Sequence, residues 1–331
     1  MNISKITNTT KIIVLNVLFI LIVLFVVDYS LYLKLKHNYL KDTEHPELFP
    51  PISYIENYKA DFSQTTLMFQ NGKTNNFDYF RPISGEIYTD KNSILIFGCS
   101  FAYSHLLEDN QTISEKLSQY TKRTIYNFGI CGSGIQHMLQ LIKNDKIYSK
   151  IKDKPEHFIY IYIPSHIDRL RANIFPDPMM TNGMNLKYKI KNNNLVLDSS
   201  ILDVFSKTFI VKSLFYNIDI QRNNETIENK HYNEILATEI FKESRRIIKE
   251  KCPNIKYTII RYEVEDDYAQ NSEPNNLWER LEKEGFNIIK SSDLIGRKYK
   301  YNSEDTNQDG YHPSEYAWDL LVPKLVKELN L

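Results

Sequence analysis

Cysteine is scarce, with three in 331 residues. That is too few for the disulfide framework that holds small secreted domains together. Glycine (10) and proline (12) are also few, which excludes collagen-like and low-complexity chains. Neither sign of charge is in excess, with 41 Lys and Arg against 41 Asp and Glu. The chain therefore lacks the overall basic bias of a nucleic-acid binder, and no such partner is expected. A mean hydropathy of −0.42 excludes a polytopic membrane protein. No His/Cys/Glu set has metal-site spacing such as H-E-x-x-H, and neither a metal nor a cofactor is expected. What is present is ordinary for a folded chain: 42% hydrophobic residues and 13% aromatic, mostly tyrosine. The length suits one large domain or two small ones.

One long apolar run exists. Ile12 to Val27 is apolar except for Asn16, and Leu31 and Leu33 extend it past Asp28. A spanning helix needs about 20 residues, so residues 12–33 read as a transmembrane anchor in contact with membrane lipid. No A-x-A-like site follows the run, which favours an uncleaved anchor over a signal peptide. Lys5 and Lys11 precede it, so the positive-inside rule places the amino terminus in the cytoplasm and the rest outside, periplasmic or extracellular. The expected division is a cytoplasmic tail over 1–11, the anchor over 12–33, a connector over 34–91 and a folded domain over 92–331.

From residue 93 strands and helices alternate. Ser93-Ile94-Leu95-Ile96-Phe97-Gly98 reads as a buried parallel strand. A helix over 112–120, a strand over 124–128, a helix over 134–148 and a strand over 157–163 follow. Residues 170–230 interrupt the pattern as an insertion, with a hairpin around Asn192-Asn193-Asn194 and a helix over 201–215. The alternation resumes with a helix over 232–250, a strand over 256–262, a helix over 275–284, a strand over 286–289 and a helix over 313–329. Such alternation predicts a parallel sheet with helices on both faces. Pro313 fits the first position of the last helix, and Pro323 is expected to kink it.

Ligands of open parallel sheets bind beyond the carboxyl ends of the strands, and three clusters fall there. In Phe97-Gly98-Cys99-Ser100, the serine sits just past the first strand, placed for a nucleophile or for a plain helix cap. Gly129-Ile130-Cys131-Gly132-Ser133-Gly134 follows the second strand. It permits close backbone approach to a ligand but lacks the dinucleotide spacing. In Asp309-Gly310-Tyr311-His312-Pro313, an acid three residues before a histidine can orient its ring. A calcium reading of Asp305 to Gly310 also arises, but the bidentate Glu of position twelve is missing, Tyr316 standing there.

Together these clusters resemble the SGNH/GDSL hydrolase superfamily over residues 92–330. The resemblance implies a flavodoxin-like three-layer α/β/α sandwich. It implies Ser100 as nucleophile, Asp309 and His312 as its partners, and an oxyanion hole from the Ser100 and Gly132 N–H groups. Two departures stand out. Cys99 replaces the Asp of the G-D-S block, and His166 falls where the third block carries the Asn that donates to the oxyanion. A neutral imidazole N–H could serve as that donor. The α/β-hydrolase elbow, G-x-S-x-G, fits less well, because residue 102 is Ala.

The implied activity is a serine esterase forming an acyl-serine, acting outside the cell on O-acyl, notably O-acetyl, esters of an envelope glycan or on a small ester. An O-acyltransferase with the same residues is one alternative, and an inactive tethered glycan-binding protein is another. Cys99 and Cys131 end adjacent strands and are candidates for a disulfide. His105 and His137 read as packing or surface residues, Trp278 and Trp318 as core.

Overall fold

The computed structural model describes residues 92–331 except 131–132, 144–147, 149–150, 152, 172–187, 193, 198–226 and 266–275. It also describes residue 88 and positions 10, 15–17, 19–20, 22–27 and 30. Cys131, Gly132, the expected helix over 201–215, and the connector apart from residue 88 lie outside the described residues.

The core is a five-stranded sheet, β1 (Ile94–Gly98), β2 (Ile125–Gly129), β3 (His157–Tyr162), β6 (Lys256–Arg261) and β8 (Asn287–Lys290). Its order is β2-β1-β3-β6-β8 with every pair parallel. Counting only these strands, this is the 2-1-3-4-5 flavodoxin-like order, whose switch point lies between the first and third strands. Parallel strands buried on both faces are apolar throughout, and β1, β2 and β3 are buried at every position. Alternation sorts their side chains between two cores. Leu95, Phe97, Phe158, Tyr160 and Tyr162 face one core; Ile94, Ile96, Ile159, Ile161 and Ile163 face the other. On the first face, Phe97 stacks between Phe128 at 4.8 Å and Phe158 at 4.7 Å, and Phe158 stacks on Tyr257 at 4.2 Å.

Helices α3 (Ile135–Lys143), α5 (Ile227–Lys251) and α6 (Leu277–Lys283) contribute to the first core. Helices α1 (Ser100–Tyr103), α2 (Ile113–Thr121) and α8 (Glu315–Leu329) contribute to the second. The result is three layers, helices on both faces of a parallel sheet. Trp318 on α8 is fully buried, and Trp278 on α6 is 9% exposed. The expected hairpin is present as β4 (Tyr188–Lys191) and β5 (Asn194–Leu197), antiparallel. Helix α4 (Ser165–Asp168) follows β3.

Some elements differ from expectation. Helix α5 starts before residue 232. The cap of α8 is Ser314, whose Oγ accepts from the Ala317 N–H, so Pro313 precedes the cap and is not the first helical residue. Pro323 lies inside α8 without ending it. Two features have no counterpart in the sequence reading: α7 (Ser291–Ile295) and the two-residue ladder of β7 (Val264–Glu265) with β9 (Tyr299–Lys300). Among the described residues, no helix is long and apolar enough to cross a membrane. The described positions between 10 and 30 are helical.

His157 opens β3 at 1% exposure, with neither ring nitrogen hydrogen bonded. Burial, and then Lys256, pushes its pKa down to about 4. The folded chain keeps this ring neutral, whereas the unfolded chain protonates it below about 6.5. The unfolded state therefore binds the extra proton between these values, and stability falls as pH drops from about 6.5 to about 4. His157→Phe is expected to flatten that part of the stability profile in thermal melts at pH 7 and pH 4.5; an unchanged difference between the two would sink the assignment.

Candidate active site

The serine turn is built by close packing. Gly98 and Gly129 are register partners at the ends of β1 and β2, and α1 lies directly over them. A Cβ on Gly98 would lie 2.8 Å from both the Ala102 Cβ and the Ile161 carbonyl. One on Gly129 would lie 2.4 Å from the Tyr103 backbone nitrogen. Asn127, fully buried, tethers the turn from beneath. Its Nδ2 donates to the Ala102 carbonyl at 2.7 Å, and its Oδ1 accepts the Gly129 N–H at 2.9 Å. Ser133 Oγ donates to the Gly98 carbonyl at 2.8 Å. Ser100 is the first residue of α1, and Cys99 makes no side-chain cap. First-turn N–H groups have no acceptor within their own helix, so the Ser100 N–H is placed to meet a ligand oxygen.

Gly129→Ala is expected to destabilise the chain by about 3 kcal/mol, through a backbone overlap that no side-chain rotation relieves. It should displace the serine as well. A chemical melt with an unchanged midpoint would show that α1 gives way at little cost.

The acid and histidine come from the loop before α8. Asp309 Oδ1 accepts the N–H groups of Tyr311 at 2.8 Å and His312 at 2.9 Å. Asp309 Oδ2 lies 2.5 Å from His312 Nδ1, and His312 Nε2 lies 2.7 Å from Ser100 Oγ. Residues 212 positions apart thus close one hydrogen-bonded chain. Burial works to raise the Asp309 pKa, but the His312 side chain and the two N–H groups outweigh it, pushing it down to about 2. As a carboxylate, Asp309 can only accept, so Nδ1 carries the proton and Nε2 is left to accept from the Ser100 hydroxyl. A hydroxyl beside an accepting imidazole is an activated nucleophile.

The loop is anchored on several sides. Asn307 N–H donates to the His312 carbonyl at 2.9 Å, and Asn307 Nδ2 donates to the His105 carbonyl at 2.8 Å. Gly310 (φ 71°) takes the left-handed conformation where a Cβ would meet the Asn302 side chain. Asp305, 1% exposed, receives the Arg297 guanidinium at 2.5 and 2.7 Å and the Lys300 N–H at 2.9 Å. That pairing replaces the calcium reading, because the first candidate ligand is committed to an arginine and Asp309 to a histidine. Among the described residues, no group of three or more His, Cys, Asp or Glu could hold a metal ion.

The structure does not bring His166 into the chain. Its ring is fully buried against Tyr160 and Tyr162, and its Nδ1 pairs with the Tyr160 hydroxyl at 2.9 Å. Burial, then the Arg169 and His137 charges, holds its pKa well below the usual histidine range. Its Nε2 is buried with no hydrogen-bond partner, and no described contact joins the ring to Ser100 or His312. Gly132 lies outside the described residues. The Cys99–Cys131 bridge is corrected, because Cys99 is a free, fully buried thiol. Arg169 donates to the Ser133 carbonyl at 2.5 Å.

His137 is a packing residue, with Nδ1 accepting the Gly134 N–H at 2.8 Å. His105, read from the sequence as a packing or surface residue, has its ring 5.0 Å from that of His312. The supporting roles of Asn127, Ser133 and Asn307 were not read from the sequence. The asparagine-rich composition gave no reason to single them out.

No family model matches the sequence, and no curated protein matches it. Solved structures do. The chain is similar to a lipolytic protein of the G-D-S-L family from Veillonella parvula, at 12% identity over 72% of this chain and 99% of that one, with a TM-score of 0.39. It is similar to the psychrotrophic esterase EstA from Pseudoalteromonas sp. in a form inhibited by monoethylphosphonate, at 12% identity over 72% and 97%, TM-score 0.40. It is also similar to an acetyl xylan esterase, Est2A, from the rumen bacterium Butyrivibrio proteoclasticus, at 9% identity over 74% and 65%, TM-score 0.39.

Proposed function

We propose that the chain is a serine esterase of the SGNH/GDSL type, acting through an acyl-serine intermediate. The observation that carries this reading is the hydrogen-bonded chain from Ser100 through His312 to Asp309 at the carboxyl end of β1, with distances of 2.7 and 2.5 Å. His312 takes the Ser100 proton as the hydroxyl oxygen attacks the ester carbonyl, and Asp309 stabilises the imidazolium that forms. The tetrahedral oxyanion meets the Ser100 N–H, with the Gly132 N–H as its second donor. His312 then protonates the departing alcohol, leaving an acyl-serine that water hydrolyses by the same steps in reverse roles.

Fluorophosphonate treatment of the full-length chain in detergent, read by intact mass, tests this. The expected result is a single adduct that is absent from Ser100→Ala. A folded chain that takes no adduct would overturn the reading and favour a tethered binding protein.

We also assign residues 12–33 as a membrane anchor, with the amino terminus cytoplasmic and the sheet domain outside. Supporting this, apolar side chains on this helical segment are exposed, from Phe19 at 66% to Val23 at 43%. An apolar surface of this kind seeks a non-aqueous partner. An outside location makes O-acyl esters of envelope glycans the expected substrates. Alkaline carbonate should leave the full chain in the membrane fraction, and removal of residues 1–33 should release it; extraction of the full chain by carbonate would exclude an integral anchor.

A further inference from the structure

In the esterase reading, His312 returns its proton to the departing alcohol. The alcohol part of a bound ester must then lie against the imidazole, and side chains touching that ring line its place. Three aromatic rings do so; Phe101, at 5.4 Å, is buried, and the other two reach the surface. Tyr311 meets His312 edge-to-face with centroids 5.2 Å apart, and His105 meets it at 5.0 Å. Both are accessible, with Tyr311 39% exposed and His105 half-buried.

Tyr311 is held rigidly. Tyr301 stacks against it at 4.8 Å and 25°, and Phe101 packs edge-on at 5.5 Å. An exposed ring already fixed by its neighbours loses little freedom when a ligand stacks on it. The loop bearing His105 is also fixed. The His105 N–H donates to the Ser100 carbonyl at 3.0 Å, and its carbonyl accepts from Asn307. Its neighbours Ser104 (φ 59°) and Leu106 (φ 63°) both take the left-handed conformation. Such backbone is costly for side chains other than glycine and concentrates at ligand sites.

We propose that Tyr311 and His105 form the alcohol-side subsite of the Ser100 centre, and that this subsite takes a pyranose ring carrying the ester. The inference rests on the esterase reading. A pyranose presents polarised C–H bonds on its faces and hydroxyls around its rim. The C–H bonds suit the electron-rich face of a tyrosine. The hydroxyls suit the imidazole nitrogens and the phenol oxygen, each of which can donate or accept. A plain alkyl alcohol would use the first feature and leave the second unmet.

The test compares two acetates with the same acyl group, an O-acetylated methyl pyranoside and ethyl acetate, on the full-length chain in detergent. The readout is the ratio of their kcat/KM values. Tyr311→Ala is expected to lower this ratio about tenfold, mainly through the KM of the pyranoside. Tyr311→Phe keeps the ring and should keep most of the ratio, whereas His105→Ala should lower it. A ratio unchanged in Tyr311→Ala overturns the proposal.

Binding of the same pyranoside by calorimetry to Ser100→Ala and to Ser100→Ala with Tyr311→Ala reads the subsite without turnover. The second chain should bind about tenfold more weakly. Equal binding, or none by either chain, overturns the subsite. Failure of the esterase reading shows differently, as no fluorophosphonate adduct and no hydrolysis of either acetate.

Discussion

Replacing Ser100 by alanine is expected to lower ester hydrolysis by about 10⁴-fold or more, with little change in stability. Ser100 Oγ is bonded to His312 Nε2. The imidazole is 16% exposed, so water can take the vacated position, and loss of this bond should cost no more than about 1 kcal/mol. His312→Ala should be nearly as inactive, because the serine then has no base. The double variant should be scarcely worse than either single one, since the two groups act as one unit. Steady-state hydrolysis of a small acetate by the three variants, beside their melting curves, reads this directly. Substantial activity in Ser100→Ala would place the nucleophile elsewhere. Multiplying losses in the double variant would show that the two residues work separately.

Asp309→Asn should be almost as damaging, by about 10³- to 10⁴-fold, for a reason set by the backbone. The N–H groups of Tyr311 and His312 both point at Asp309 Oδ1. An asparagine must keep its oxygen there, which turns its NH₂ towards His312 Nδ1. Nδ1 then accepts, the ring proton moves to Nε2, and Nε2 donates to Ser100 instead of receiving its proton. The site would keep its shape and lose its base. In the wild-type chain the carboxylate persists into acid, with a pKa of about 2, against the about 3.9 of an unfolded chain. Its contribution to stability is therefore present above about 3.9 and lost as pH falls through about 2. Asp309→Asn should therefore melt below the parent at neutral pH, with the gap closing as pH falls towards about 2, while remaining folded and hydrolysing a small acetate far more slowly. Activity within tenfold of the parent would mean that Asp309 does not set the tautomer.

The sheet was legible because its strands carry their burial in their composition. Ile94 to Phe97 and Phe158 to Tyr162 are apolar on both faces, and only a strand covered by helices on both sides tolerates that. The glycine that ends β1 and the acid three residues before His312 were legible as spacing. What spacing does not carry is direction. His166 follows β3 at the position of an oxyanion donor, yet its ring turns into the tyrosine-lined core, where Tyr160 accounts for one nitrogen. His105 read as a packing or surface residue near the site. Two left-handed residues fold its loop back beside His312, and nothing in Ser104 or Leu106 announces such backbone. The strands of two residues, β7 and β9, are too short to show a period at all.

The distance along the chain between Ser100 and His312 also has a consequence for biosynthesis. A protein made from its amino end exposes this serine long before its base exists, and two hundred residues of sheet and helix must be laid down and closed before the imidazole arrives. Until then the hydroxyl is an ordinary alcohol, unable to acylate itself from esters it meets on the way to its destination. Catalytic competence thereby becomes a report on completed folding: a chain cut or stalled before residue 312 is silent. Two complementary fragments split in the 198–226 segment should stay silent apart and gain turnover only by assembling across the β3–β6 pairing.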